Sequence, residues 1–124
     1  MTTVTFHGRR AMAGLGELER AVMEVLWAAP EPCTARDVQD GLAERALATT
    51  TVLTVLGRLE RKGLVGRERN GRAHRYAAAG TREDHIAALM RDALDGAPDR
   101  GAVLARFLGG MPPDDQAAVR DLLR

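Results

Sequence analysis

This chain of 124 residues is poor in aromatics, in lysine and in cysteine, and each shortage narrows what it can be. Phe6, Trp27, Tyr76 and Phe107 are its only aromatic residues, so any core must be aliphatic. Cys33 stands alone and cannot form an internal disulfide, so nothing asks for an oxidising compartment. No apolar run approaches the roughly 20 residues needed to cross a bilayer. Residues 1–14 contain two arginines but no apolar stretch of the kind a secretory signal requires. The expectation is a soluble, cytoplasmic protein with no membrane insertion. The length rules out a large two-domain enzyme. With 45% apolar and 28% charged residues, the chain also lies well away from the disordered class.

What is present falls into a periodic order. Residues 1–14 show no period and read as an N-terminal arm. Leu15, Leu18, Val22, Val25, Leu26 and Ala29 follow a helical period that stops before Pro30. Thr34-Ala35-Arg36-Asp37 resembles a capping box and starts a second helix, striped by Val38 and Leu42 and fading near Arg45. A third helix is expected from about Thr50 to Lys62, with Thr49 as N-cap and Gly63 at the C′ position. Its apolar positions Val52, Val55, Leu56 and Leu59 recur at i, i+3, i+4 and i+7. Gly57 interrupts it, at about 1 kcal/mol relative to alanine in a helix interior.

Two short extended segments follow, Leu64 to Arg69 and Arg72 to Ala77, around Asn70-Gly71, the preferred pair for a type I′ hairpin turn. Three helices and a hairpin make a winged helix-turn-helix over 15–79. The expected fold class is mainly α with a small β-hairpin, the winged domain being followed by a short helical dimerisation region at 80–124. In that tail, Thr81-Arg82-Glu83-Asp84 is another capping box, and Pro112-Pro113 opens the last helix. Short helices like these cannot form a core alone. Their apolar residues Ile86, Met90, Leu94, Val103, Leu104, Phe107, Leu108, Val119, Leu122 and Leu123 need a partner, either the winged domain or a second copy. Because the winged domain already has its own core, dimerisation is the better account, and it suits a two-fold DNA site.

The formal net charge of +1 conceals a segregation. Residues 49–76 carry Arg58, Arg61, Lys62, Arg67, Arg69, Arg72 and Arg75 against only Glu60 and Glu68, while the segments on either side are net acidic. The positive charge thus falls on the third helix and the hairpin, the two parts of a winged helix that face DNA. Small polar residues, Thr50, Thr51 and Thr54, share the outer side of that helix with Arg58 and Arg61. They suit a groove, whereas a protein-docking face more often presents large apolar anchors. A winged module that docks an acidic protein is the alternative. A third reading is a thiol- or ligand-responsive regulator acting through Cys33, although a lone cysteine is more often packing.

Chemistry of other kinds finds no foothold. His7, His74 and His85 lack metal-ligand spacing, and no nucleophile–base pair, phosphate loop or dinucleotide fingerprint occurs. No enzyme activity, metal or cofactor is expected. Asp114 and Asp115 are explained by the dipole at a helix start.

Specific residues carry a family resemblance: Leu18-Glu19 and Val22 to Trp27, then Thr50-Thr51-Val52-Leu53-Thr54-Val55-Leu56-Gly57-Arg58-Leu59-Glu60-Arg61-Lys62-Gly63, then Gly71-Arg72 and Tyr76. From Leu15 onward, strongly to Tyr76 and weakly in the tail, the sequence resembles the penicillinase-repressor family, the BlaI/MecI/CopY type of bacterial transcriptional regulator. The resemblance implies a homodimeric repressor on a palindromic double-stranded DNA operator, governing β-lactam resistance, copper handling or other stress responses. It implies Thr50, Thr51, Thr54 and Arg58 as the recognition surface, with Arg61 beside them. It also implies Arg67, Arg69, Arg72 and His74 as wing contacts to phosphate. Departures occur at Thr49 and Thr50, where relatives often have larger residues, and at Gly57, where a polar residue is usual. The β-lactam-responsive members have a membrane sensor-protease partner and are cut at an Asn-Phe bond; here the matching pair is Arg106-Phe107. The clustered C-terminal cysteines of the copper-responsive members are missing.

Overall fold

A computed structural model describes residues 15–124; the N-terminal arm expected over 1–14 lies outside the described residues. The element order is α1 (Glu17–Ala28), α2 (Ala35–Gly41), a 3₁₀ turn (Ala43–Arg45), α3 (Thr49–Arg61), β1 (Val65–Asn70), β2 (Ala73–Ala78), α4 (Arg82–Asp95), α5 (Arg100–Gly109) and α6 (Pro113–Leu122). Two compact units result, one running through Leu89 and the other from Met90 to Arg124.

Local chemistry explains most element ends. Gly16 stands at the N-cap of α1, and Glu19 reaches back to accept its backbone N–H at 3.1 Å. At α2 the capping box closes in both directions. The Asp37 N–H donates to Thr34 Oγ1 and the Thr34 N–H to Asp37 Oδ2, both at 3.0 Å. Those hydrogen bonds hold the Asp37 carboxyl below its ordinary pKa. Thr81 and Asp84 repeat the device ahead of α4, at 2.9 and 3.0 Å, and Asp99 caps α5. Thr49, expected as the cap of α3, is instead its first helical residue, and the N-cap is Ala48 without a side-chain bond. The Thr49 hydroxyl donates to Gln39 Oε1 at 2.9 Å, while Gln39 Nε2 donates to the Leu47 carbonyl at 2.8 Å. A glutamine of α2 thereby ties down the turn that delivers α3.

The far end of α3 closes as a Schellman motif. Gly63 lies at φ +77°, its N–H donating to the Glu60 carbonyl, and the Leu64 N–H reaches the Leu59 carbonyl at 3.0 Å. Leu59 and Leu64 are both buried, supplying the apolar contact that accompanies this motif.

The hairpin differs from expectation by one residue. Asn70 pairs with Ala73, so the two-residue loop is Gly71-Arg72, not Asn70-Gly71. Gly71 has φ +68°, whereas Arg72 does not enter the positive-φ region. With glycine first in the loop, only one residue needs the left-handed region, and the strands need no asparagine there. A further pairing was not legible in the sequence: Cys33 bridges Tyr76 on the outer side of β2, through bonds of 2.8 and 2.7 Å.

The core of the first unit is largely aliphatic, with Tyr76 its one aromatic member. Val22, Met23 and Leu26 of α1, Val38 of α2, Val52, Val55, Leu56 and Leu59 of α3, and Leu64, Val65 and Tyr76 of the hairpin form one buried cluster. Each such side chain contributes about 1.5–3 kcal/mol on burial.

One residue opposes this economy. Ala46, between the 3₁₀ turn and α3, sits at φ +49°, where a Cβ costs about 1–2 kcal/mol. Ala46→Gly is therefore expected to stabilise the protein by about 0.5–1 kcal/mol after the entropy of the freer unfolded chain is subtracted. Thermal or urea unfolding checks this; a destabilised variant would show that the Ala46 methyl makes a contact worth more than the strain.

Candidate nucleic-acid interface

Burial of Val52, Val55, Leu56 and Leu59 turns the other side of α3 outward, and Thr50, Thr51, Thr54, Arg58 and Arg61 are all exposed on it. Thr54 donates its hydroxyl to the Thr50 carbonyl at 2.9 Å, one turn back. Its oxygen lone pairs and methyl remain to meet a partner. Arg58 and Arg61 form no ion pair among the described residues.

The wing is less uniform. Register places Arg67 opposite Tyr76, on the face it shares with Val65 two residues earlier. That face meets α3, and Arg67 Nε lies 3.6 Å from the Glu60 carboxylate. Arg69 and Arg72 are exposed and unpaired among the described residues, Arg72 at the loop itself. His74 is only half-exposed; its Nδ1 is buried without a hydrogen-bond partner, so its ring is presented less openly than the neighbouring arginines. Arg75 sits opposite Glu68, a carboxylate residue only 8% exposed. Its positive charge also acts on Asp37 and Cys33. Arg75 is half-buried and forms no ion pair among the described residues.

Lys62, the only lysine, is also taken up within the fold. Its ammonium donates to both oxygens of Glu19 at 2.9 Å, joining the C-terminal end of α3 to α1. Partial burial alone would raise the Glu19 pKa. The bonds from Lys62 and the Gly16 N–H, with the charges of Lys62 and Arg58, overcome that and hold it low.

At the other end of α1, Arg82 pairs with Glu24 and lies over the Trp27 ring, 5.5 Å from its centroid. Trp27 also meets the His85 ring at 5.5 Å. Sequence reasoning missed this cluster because Glu24 and Trp27 meet residues some sixty positions away, and it missed Gln39 because no periodic or capping pattern marks a bond across the turn between two helices. Burial pushes the Cys33 thiol pKa up, aided by the charge of Asp37 and opposed by Arg75. A buried thiol that resists ionisation is poorly suited to redox sensing. Among the described residues no cluster is arranged to hold a metal, and no helix is long and apolar enough to cross a membrane.

In the second unit, Met90, Ala93, Leu94, Val103, Leu104 and Phe107 line an apolar cavity of about 250 Å³. Met90, Val103, Leu104, Phe107, Leu108, Leu122 and Leu123 are exposed, as is Ile86 nearer the start of α4. Leu94 and Val119 are half-buried.

Three helices, a two-stranded wing and a polar, arginine-bearing outer face on the third helix define a winged helix-turn-helix regulator. The family model described as penicillinase repressor matches residues 15–124, and the chain belongs to that family. It is a family of transcriptional repressors, not of enzymes. The chain is 49% identical over 113 residues to the transcriptional regulator BlaI of Mycobacterium tuberculosis, in the CDC 1551 and H37Rv strains alike. The match spans 88% of this chain and 82% of the relative. Among solved structures, a MarR-family transcription regulator matches with a TM-score of 0.50 and 26% identity, over 89% of this chain and 68% of its own. A MarR-family regulator from Rhodococcus sp. RHA1 shares the fold at a TM-score of 0.50 and 23% identity, over 88% of this chain and 71% of its own.

The Lys62–Glu19 pair yields a prediction with a defined pH window. Glu19 has a depressed native pKa, so its contribution is present above the ordinary value of 4.5 and is lost as pH falls through the native one. Lys62→Met leaves a part-buried carboxylate without its cation and should cost about 1–2 kcal/mol at neutral pH. The gap from wild type should close below the native Glu19 pKa. Urea unfolding at pH 7 and in acid tests this; a gap that stayed constant with pH would assign the loss to packing of the lysine stem.

Proposed function

We propose that the chain represses transcription as a homodimer bound sequence-specifically to a palindromic operator. The supporting observation is that the exposed arginines free of ion pairs in the basic segment, Arg58, Arg61, Arg69 and Arg72, lie on α3 and the wing. In this reading α3 enters the major groove with Thr50, Thr51, Thr54 and Arg58 toward the base edges. The wing arginines, with Arg67 and His74 in lesser roles, grip flanking phosphates. The winged domain over 15–79 carries recognition, and the region over 80–124 pairs two copies in the cytoplasm. The exposed apolar residues of α4, α5 and α6 support that pairing, because a second copy would remove them from water.

Arg106-Phe107 stands where β-lactam-responsive relatives have the cleaved Asn-Phe pair, which argues against inactivation by a sensor-protease of that specificity; only one of altered specificity would cut here. That bond lies inside α5, and helical backbone must unwind before a protease can hold it in extended form. Loss of dimer contacts would follow from such a cut.

Fluorescence anisotropy on duplexes from the protein's own promoter region tests the proposal, with a scrambled duplex as control at two salt concentrations. Tight, salt-sensitive binding with two protomers per site and clear preference over the scramble is expected. Arg72→Ala should weaken binding to both duplexes similarly and flatten the salt dependence by about one unit of slope per lost contact. Arg58→Ala should cost about 1–3 kcal/mol on the operator and little on the scramble if it reads guanine. Leu104→Asp with Phe107→Asp should give a monomer in sedimentation, with weakened operator binding. Equal weak binding to all duplexes, with tight capture of an acidic protein, would favour the docking module.

A further inference from the structure

Two residues on the outer side of α3 are left unexplained by the fold. Leu53 is 44% exposed on a helix whose other leucines are buried. Gly57, one turn later on the same edge, sits in the middle of α3 without any conformational need. A Cβ built there would meet only Arg61 Nη1, at 3.5 Å, the far end of a flexible side chain. Alanine would thus fit and would favour the helix, so nothing within this unit calls for glycine. Together the two residues set an exposed leucine beside a stretch of helix that carries no side chain, with the Arg61 guanidinium lying next to it. Thr54 and Arg58 are next to Leu53 and Gly57 in the chain, Arg58 and Arg61 form no ion pair among the described residues, and the one nearby acid on the helix, Glu60, is engaged by Arg67.

Resting on the DNA-binding reading above, we infer that Leu53 and Gly57 read the C5-methyl group of a thymine. The major-groove edge offers one apolar feature, that methyl, and an apolar side chain is the group that recognises it. Gly57 removes the side chain that would hold the base edge away from the helix. Arg58 and Arg61, exposed and in no ion pair among the described residues, match a polyanion, and Arg61 can turn from Gly57 to a phosphate. Thr50, Thr51 and Thr54 then supply polar readout on one side of this contact, and Leu53 with Gly57 supplies apolar readout on the other.

Deoxyuridine differs from thymidine only by the methyl, which makes the test direct. Operator duplexes are prepared with each thymine replaced in turn by uracil, and anisotropy titrations are run with wild type, Leu53→Ala and Gly57→Ala. Wild type should lose about three- to tenfold in affinity at one symmetric pair of thymines. Leu53→Ala should bind the thymine operator more weakly by a similar factor and show no further loss with uracil. Gly57→Ala should melt a few degrees higher than wild type yet bind the operator at least about fivefold more weakly, a combination that a merely structural glycine cannot give. The inference is overturned if every uracil duplex binds wild type as tightly as the parent. It is equally overturned if Leu53→Ala keeps the full uracil effect or if Gly57→Ala binds unchanged. Wild type that failed to distinguish operator from scramble would instead sink the repressor reading itself.

Discussion

The rotation of α3 about its own axis is the constraint on which the rest of the first unit depends. Val52, Val55, Leu56 and Leu59 occupy one side of the helix and are almost wholly removed from water. At about 1.5–3 kcal/mol each, they make any other rotation prohibitively costly. With that side committed to α1, α2 and the hairpin, Thr50, Thr51, Thr54, Arg58 and Arg61 have nowhere to point but outward. The same burial extends through Leu59 and Leu64 into the Schellman turn, so the core that orients α3 also sets where the wing begins. Recognition surface and core are thus two sides of one helix.

Charge obeys a second rule within that frame. The basic segment reads in sequence as one continuous patch, but the fold divides it. Lys62 and Arg67 are drawn to Glu19 and Glu60, and Arg75 is half-buried across the sheet from Glu68. Arg58, Arg61, Arg69 and Arg72 remain. Acids placed next to basic residues therefore do more than lower the net charge. They decide which cations brace the structure and which stay available to a polyanion.

Much of this was legible in the chain because it is written at short range. The 3.6-residue period of α3, the Thr34–Asp37 and Thr81–Asp84 boxes, and the glycine ending α3 are local signals, and each appears where its chemistry predicts. What the sequence hid depends on tertiary partners. Asn70-Gly71 is a good turn pair, but the register that buries Val65 and Tyr76 moves the loop to Gly71-Arg72. Thr49 is a good cap, but Gln39 stands close enough to take its hydroxyl. The Cys33–Tyr76 bridge joins residues more than forty positions apart, and no local pattern announces it. Of the recognition residues, their exposure on α3 could be inferred from the buried stripe. The withdrawal of His74 and Arg67 toward the fold could not, because it follows from strand register.

The central claim is that α3 presents its polar and arginine-bearing side to base edges in the major groove, once per protomer. Methylation-interference mapping on the operator tests it most directly, because guanine N7 lies in the major groove and adenine N3 in the minor. The account predicts interference from methylated guanine N7 in two symmetric clusters centred about one helical turn apart. Interference confined to adenine N3, or a single unsymmetric cluster, would contradict it.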